Sequence, residues 1–450
     1  MPKDRLLRSG AESRLSARPT AALGLAVLLL AGCMGAGGSG VGGSDAGPAS
    51  RMNLAPTDAA GQPAQGGSAL ISQLQARQSV LVPGSGYARV ADAVLAADAG
   101  TAAAELRIAR LRSEARAKNW LPKLGPAVTL SSLNGLVAGL VLEQALFDHG
   151  KRKAERAYAA ADVEVAAVTL STEINQRLFE GLSHYVKAER ARAQGAVSAR
   201  AADRLAGFAD VMRQRVEGGL SDRSEQQVIA QKLIEMDATR AADREAEVSA
   251  MAELAAMAAG PLDGVRGIDR LALSGRADEP LSVVKARGEG ARSIAESRIA
   301  RAGLMPSLTA SADVNSDGID PGVRLGGAGL LGWGTREELA ALDATADVVA
   351  RREAEAAETA QRRIVALERE IAQLASQQAK GAEVLAQTET NLELFVEQYR
   401  LGRRTLLELV AQYDSYARLE RDQVALGHEI ALRELEIARD RGLLVDGARM

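Results

Sequence analysis

The sequence predicts a mainly α chain with a small membrane β part, built by internal duplication from two long antiparallel helical hairpins and four β-strands. Three observations carry this expectation. Unrelated landmarks recur at one offset: Pro122 and Pro306, Gly150 and Gly334, and Gly218 and Gly402 each stand 184 residues apart, so one order of elements is used twice. Aromatic residues are only 3% of the chain while hydrophobic residues reach 47%, largely through alanine, which suits close-packed long helices. Two polar, Ala-rich stretches, 148–214 and 335–399, keep a helical pattern without proline, each long enough for roughly 100 Å of helix.

At the N-terminus, Lys3, Arg5, Arg8, Arg14 and Arg18 surround or precede an apolar run, Ala21 to Leu30, that is too short to be a permanent span. Leu30-Ala31-Gly32-Cys33 follows and resembles the lipobox of bacterial lipoproteins, in which the cysteine is diacylated and becomes the N-terminus. A secretory peptide with an incidental cysteine is the alternative. Met34 is not the aspartate that commonly retains such proteins in the inner membrane, so the resemblance implies sorting to the outer membrane. Residues 1–32 are thus read as signal peptide and 33–68 as lipidated cysteine and flexible linker, whose Gly, Ser, Pro and Ala bury too little to fold. Cys33 is the only cysteine, which excludes an intramolecular disulfide and a thiolate metal site. Residues 1–32 hold five Lys and Arg against two Asp and Glu, net +3, so with a formal charge of -3 overall the remainder stands near -6. No basic field for nucleic acid is left.

The first repeat, 69–260, opens with a helix from Gly86 to Lys118 that Pro122 stops. Two strands follow, 124–133 and 136–146, around Asn134-Gly135, a strong hairpin signal between apolar runs. A helix over 148–214 then reverses at 217–221 and returns over 222–258. A connection, 261–280, leads into the second repeat, 281–441: a helix to Ala302, strands 307–314 and 323–331 around 315–321, a helix over 335–399, a reversal at 402–405 and a return helix over 406–441. Residues 442–450 are left as a C-terminal tail. Each strand has the length a tilted membrane strand needs, and Leu308, Ala310, Ala312 and Val314 alternate with Ser307, Thr309, Ser311 and Asp313 as expected between lipid and a wet lumen. The long helices carry single narrow apolar seams and need neighbours.

This layout resembles that of the TolC-type outer-membrane efflux protein family over about residues 86–441. Gln144-Ala145-Leu146-Phe147-Asp148-His149-Gly150-Lys151-Arg152 looks like the family's passage from strand to helix, and Tyr399-Arg400-Leu401-Gly402-Arg403-Arg404-Thr405-Leu406-Leu407-Glu408-Leu409 looks like its second helical tip. The resemblance implies a homotrimer in which four strands per subunit form a twelve-stranded barrel in the outer membrane and the hairpins form a periplasmic α-barrel. It implies docking of a periplasmic adaptor at the tips, on Val216, Gly218 and Ser221 and on Tyr399, Gly402 and Thr405, although a helix reversal alone is sufficient reason for glycine. It also implies a closed-state gate at Tyr399, Arg404 and Glu408, with Ala411 where the family has a second carboxylate; a solvated Arg–Glu pair is the plainer reading. At the offset of 184 the first tip has Arg215, Leu220 and Ser224 instead. Three Glu408 side chains brought together by threefold symmetry are expected to repel and raise one another's pKa, or to recruit Arg404 or a cation.

The function so implied is a passive duct without cofactor, served through the adaptor by an inner-membrane ABC or proton-driven pump. Arg403 to Leu409 leans toward type I protein secretion; small-molecule efflux is the alternative cargo, and a structural periplasmic coiled-coil lipoprotein is the alternative of another class. Asp313-Val314-Asn315-Ser316-Asp317-Gly318 mimics the start of a calcium loop, but Arg324 stands where the bidentate glutamate belongs. His149, His184 and His428 lack partners at zinc spacings, and no nucleophile motif occurs, so an enzyme is not expected.

Overall fold

The computed structural model describes residues 68–449 other than 99, 131–135, 263, 274, 316–317 and 327–331. The expected signal peptide, Cys33 and the expected linker up to residue 67, the Asn134-Gly135 turn, Ser316-Asp317 and the end of the expected fourth strand at Leu331 lie outside the described residues. The elements are α1 (Ala69–Gln75), α2 (Gly86–Ala96), α3 (Ala102–Ala117), β1 (Lys123–Leu130), β2 (Leu136–Phe147), α4 (Lys151–Glu217), α5 (Arg223–Met257), α6 (Leu281–Gly303), β3 (Ser307–Asn315), β4 (Gly318–Gly326), α7 (Thr335–Asp343), α8 (Thr345–Arg400) and α9 (Leu406–Asp440), with a 3-10 turn at Gly447–Arg449.

The repeat is visible in the backbone: β1 and β3, and likewise α4 and α7, begin 184 residues apart. Three boundaries differ from expectation. The helix over 86–118 is two, α2 and α3, because the Asp98 carboxylate accepts the Gly100 N–H at 3.0 Å and Arg177 of α4 caps α2 by donating to the Ala97 carbonyl at 3.1 Å. The second long helix is interrupted at Ala344, beside Leu342, whose carbonyl accepts Ser297 Oγ of α6 at 2.8 Å, and Asp343, which pairs with Arg301. Finally, β4 begins at Gly318 rather than Val323, with Pro321 inside it. Proline is tolerated there because, within this chain, β4 is an edge strand.

The four strands form one antiparallel sheet in the order β1-β2-β3-β4. Its register puts Leu124, Leu140, Leu142, Leu308, Ala310, Ala312, Val314, Ile319, Val323 and Leu325 on one face. The other face carries Lys123, Glu143, Ser311, Asp313, Asp320, Thr309 and Arg324, with Arg324 3.7 Å from Glu143. Among the described residues the apolar face is not covered: Ile319 is 69% and Leu325 76% exposed. None of the described helices is long and apolar enough to cross a membrane.

In the helical layer α4 packs on α5 and α9, and α9 on α8, so α5 and α8 form the two edges. The main core joins α2, α4, α5 and α9 through Tyr87, Val94, Leu178, Leu182, Tyr185, Leu254 and Leu435. Two stretches read from sequence as connection and tail are part of it: Val265 and Leu271 from the connection, and Leu443, Leu444 and Val445 from the tail, are all buried. Backbone bonds hold the tail in place, Val80 N–H to the Leu443 carbonyl and Gly447 N–H to the Arg77 carbonyl, both 2.9 Å.

Candidate functional site at the helical tips

Both reversals are built by the same backbone device. In the first tip Gly219 N–H donates to the Val216 carbonyl at 3.0 Å and Leu220 N–H to the Arg215 carbonyl at 2.7 Å; in the second, Gly402 N–H donates to Tyr399 at 2.9 Å and Arg403 N–H to Gln398 at 2.8 Å. These are Schellman motifs, closed by a left-handed residue that glycine supplies without a Cβ penalty. That residue is Gly219 (φ 72°) in the first tip and Gly402 (φ 70°) in the second, whereas Gly218 has φ -80°. The equivalence of Gly218 with Gly402 is therefore wrong by one residue. α4 runs 67 residues, while α7 and α8, of 9 and 56 residues with Ala344 between them, come to one fewer. At the tips the repeat offset is 183, and Tyr399, Arg404, Thr405 and Glu408 correspond to Val216, Ser221, Asp222 and Glu225. Both tips then have glutamate three residues into the return helix, and only the second adds the tyrosine and arginine.

Glu408 is tied down within its own chain. Thr405 is the N-cap of α9: its Oγ1 accepts Glu408 N–H at 3.2 Å and its N–H donates to Glu408 Oε2 at 2.9 Å, a complete capping box. Arg404 donates from Nη1 to Glu408 Oε1 at 3.1 Å and from Nε to Gln398 Oε1 at 3.0 Å, and its guanidinium lies 4.7 Å over the Phe395 ring. The Thr405 backbone, and then Arg404, hold the Glu408 carboxyl below its ordinary pKa. Within one chain this is the opposite of the rise expected from three mutually repelling carboxylates. Tyr399 is half-buried among the tip residues; Arg404, Glu408, Gly402, Thr405 and Gly218 are exposed, and Val216 and Ser221 are partly covered. The first tip has no such box: Asp222 makes no side-chain cap, and Arg215 Nε donates to Ser221 Oγ at 3.2 Å.

The two tips share one apolar core, with Leu205, Met212, Ile229 and Met236 of the first hairpin against Leu406, Leu409, Val410 and Ala417 of the second. Ion pairs stitch its rim, Lys232 to Asp414 at 3.3 Å from α5 to α9 and Arg200 to Glu420 at 2.6 Å from α4 to α9. Tyr413 sits edge-on to Phe208 at 5.9 Å. The tips thus form one packed unit whose exposed end presents Leu220 and Leu401.

Among solved structures, the chain is similar to the CmeC outer membrane channel of Campylobacter jejuni, with a TM-score of 0.67 and 11% identity over 80% of this chain and 86% of that one. It is similar to the outer membrane protein VceC of Vibrio cholerae, with a TM-score of 0.66 and 16% identity over 83% and 95%. The open state of the MtrE outer membrane channel of Neisseria gonorrhoeae matches with a TM-score of 0.58 and 18% identity over 84% and 89%. The chain has the TolC-type channel fold. No family model and no curated protein matches the sequence.

Within the TolC-type fold, the sequence-predicted residues divide in two groups. Tyr399, Gly402, Arg404, Thr405 and Glu408 are brought together in one tip, and Val216, Gly218 and Ser221 lie in the other. Sequence reasoning missed Phe395 and Gln398, which hold Arg404, and the Lys232–Asp414 link. One signal was available: Thr405-x-x-Glu408 before an apolar helix is a capping-box pattern.

Proposed function

We propose that the chain is one subunit of a passive outer-membrane export channel that closes as a homotrimer. The observation that supports this most is the sheet, with one exposed apolar face, one polar face, and open edges at both β1 and β4. Unpaired strand edges are costly in lipid, and joining β4 of one copy to β1 of the next gives a closed barrel of twelve strands. α5 and α8 end the helical layer in the same way and leave Val228 and Ile234, and Val384 and Leu394, exposed. Such head-to-tail contacts form a ring when the rotation closes. Lipid on Cys33 tethers the subunit to the outer membrane; the intact mass of the isolated subunit checks this, and a mass that does not correspond to a chain starting at acylated Cys33 overturns it.

In this reading a periplasmic adaptor docks on the tips at Val216, Gly218, Ser221, Tyr399, Gly402 and Thr405, and an inner-membrane ABC or proton-driven pump supplies the energy. The segment Arg403 to Leu409 favours type I protein secretion as the task. Deleting the chain from its host is then expected to remove protein from the culture medium and leave drug susceptibility unchanged; the reverse pattern assigns small-molecule efflux.

Tyr399, Arg404 and Glu408 form the periplasmic gate. Arg404→Ala frees Gln398, Phe395 and Glu408 together and is expected to raise permeability to large antibiotics several-fold. Glu408→Ala does the same and also removes half of a helix cap worth about 1 kcal/mol. Thr405→Ala separates the two effects, since it weakens the cap and leaves Arg404 and Glu408 in place. Leakage in Thr405→Ala as large as in Arg404→Ala, or none in Arg404→Ala and Glu408→Ala, contradicts the gate.

A further inference from the structure

At the junction of sheet and helices, the first turns of α4 and the last turns of α6 enclose a recess of about 470 Å³. Its walls pair an apolar floor, Ala154, Ala302 and Met305, with Lys153, Arg298 and Arg301. Arg301 shares its charge with Asp343. Among the described residues Lys153 and Arg298 have no acidic partner within ion-pair distance, so the recess carries uncompensated positive charge. His149 closes one side, in the left-handed region at φ 48° with its ring 4.5 Å from Phe147.

Phe147 fixes which side of the molecule the recess faces. It pairs with Leu308 in the sheet and so belongs to the apolar face, at its helical end, and it is 57% exposed. From sheet to helix the surface therefore passes from leucine and valine, through an aromatic ring, to a cluster of cations. That is the gradient of a membrane boundary, where the charged groups nearest the hydrocarbon are the phosphates of the lipid. The duplication shows that the fold does not demand this charge. At the offset of 184, which holds at this end of the repeats, Lys153 answers to Glu337 and Arg298 to Glu114, while His149 answers to Trp333, a fully exposed aromatic. The aromatic character is kept in both repeats and the cationic recess belongs to one.

We infer that this recess binds the phosphodiester headgroup of an anionic membrane phospholipid, with Lys153 and Arg298 as the phosphate ligands. The inference rests on the outer-membrane placement proposed above. Each subunit carries one such site, which anchors the barrel at a set depth independently of any lipid on Cys33.

Native mass spectrometry of the full chain in detergent, with phosphatidylglycerol or phosphatidylcholine added at equal concentration, tests it. The wild type is expected to retain phosphatidylglycerol at least tenfold better. Lys153→Glu with Arg298→Glu, which copies the other repeat, is expected to abolish the preference, and so is the milder Lys153→Gln with Arg298→Gln, whose thermal unfolding should match the wild type. Millimolar inorganic phosphate is expected not to displace the lipid. Equal retention of the two lipids, a preference that survives in the Gln variant, or displacement by inorganic phosphate overturns the inference. A wild type that retains neither lipid and stays in solution without detergent overturns the membrane placement as well.

Discussion

Replacing Arg421 by alanine is expected to destabilise the protein by about 3–5 kcal/mol, the cost of leaving a buried charge without its partner. Asp243 on α5 is only 7% exposed and Ser198 on α4 is fully buried, with Ser198 Oγ donating to Asp243 Oδ2 at 2.7 Å. Arg421 on α9 donates to both. The cluster is the polar point at which the first hairpin is fastened to the return helix of the second, between the main core and the tip core. Removing the arginine leaves the Asp243 carboxylate with one hydroxyl donor in an apolar helix interface. The double variant Arg421→Met with Asp243→Leu is expected to recover most of the loss, because a buried ion pair exchanged for packed apolar groups is often neutral or better. Thermal unfolding of the detergent-solubilised protein, followed by circular dichroism, measures both. A single variant as stable as the wild type removes the cluster from the list of contacts that hold α9.

Removing residues 442–450 is expected to prevent folding, and Leu444→Ala alone to cost about 2–5 kcal/mol. Leu443, Leu444 and Val445 are at most 3% exposed and fill the core against α2 and α4. The Leu444 N–H donates to Asn175 Oδ1, itself fully buried, at 2.9 Å, so truncation also strands a buried amide. Gly447 follows where a Cβ would lie 2.0 Å from the Leu74 carbonyl oxygen, which α1 supplies. The same unfolding measurement decides; a truncated chain with wild-type stability contradicts the placement of the tail in the core.

Elements set by local pattern were legible in the sequence, and contacts between distant segments were not. The long helices, the alternating strand β3 and the proline stops before β1 and β3 follow from periodicity and backbone chemistry within a dozen residues. The broken helix at Asp98 to Thr101 depends on Arg177, far along the chain, and its own signal was one aspartate and one glycine. The connection and tail look like loops because Val265, Leu271 and Leu443 to Val445 are too few to show a period; only α2, α4 and α9 make them core. At the tips the doublet Gly218-Gly219 offers two registers, and a helix of alanine, arginine and glutamate hides the loss of one residue between Thr335 and Arg400. Hence the landmarks in the sequence extend the offset of 184 to the tips, whereas their backbone has 183. The tip residues themselves were legible as a group, since they lie within ten positions of one another, but the Arg421–Asp243 pair spans the two repeats and leaves no trace in either.

The closed ring is tested most directly by native mass spectrometry of the detergent-extracted protein. A mass of three subunits, stable on dilution, is the expected result, because only closure pairs β1 with β4 and covers the exposed residues of α5 and α8. A monomer that keeps its folded signature contradicts it.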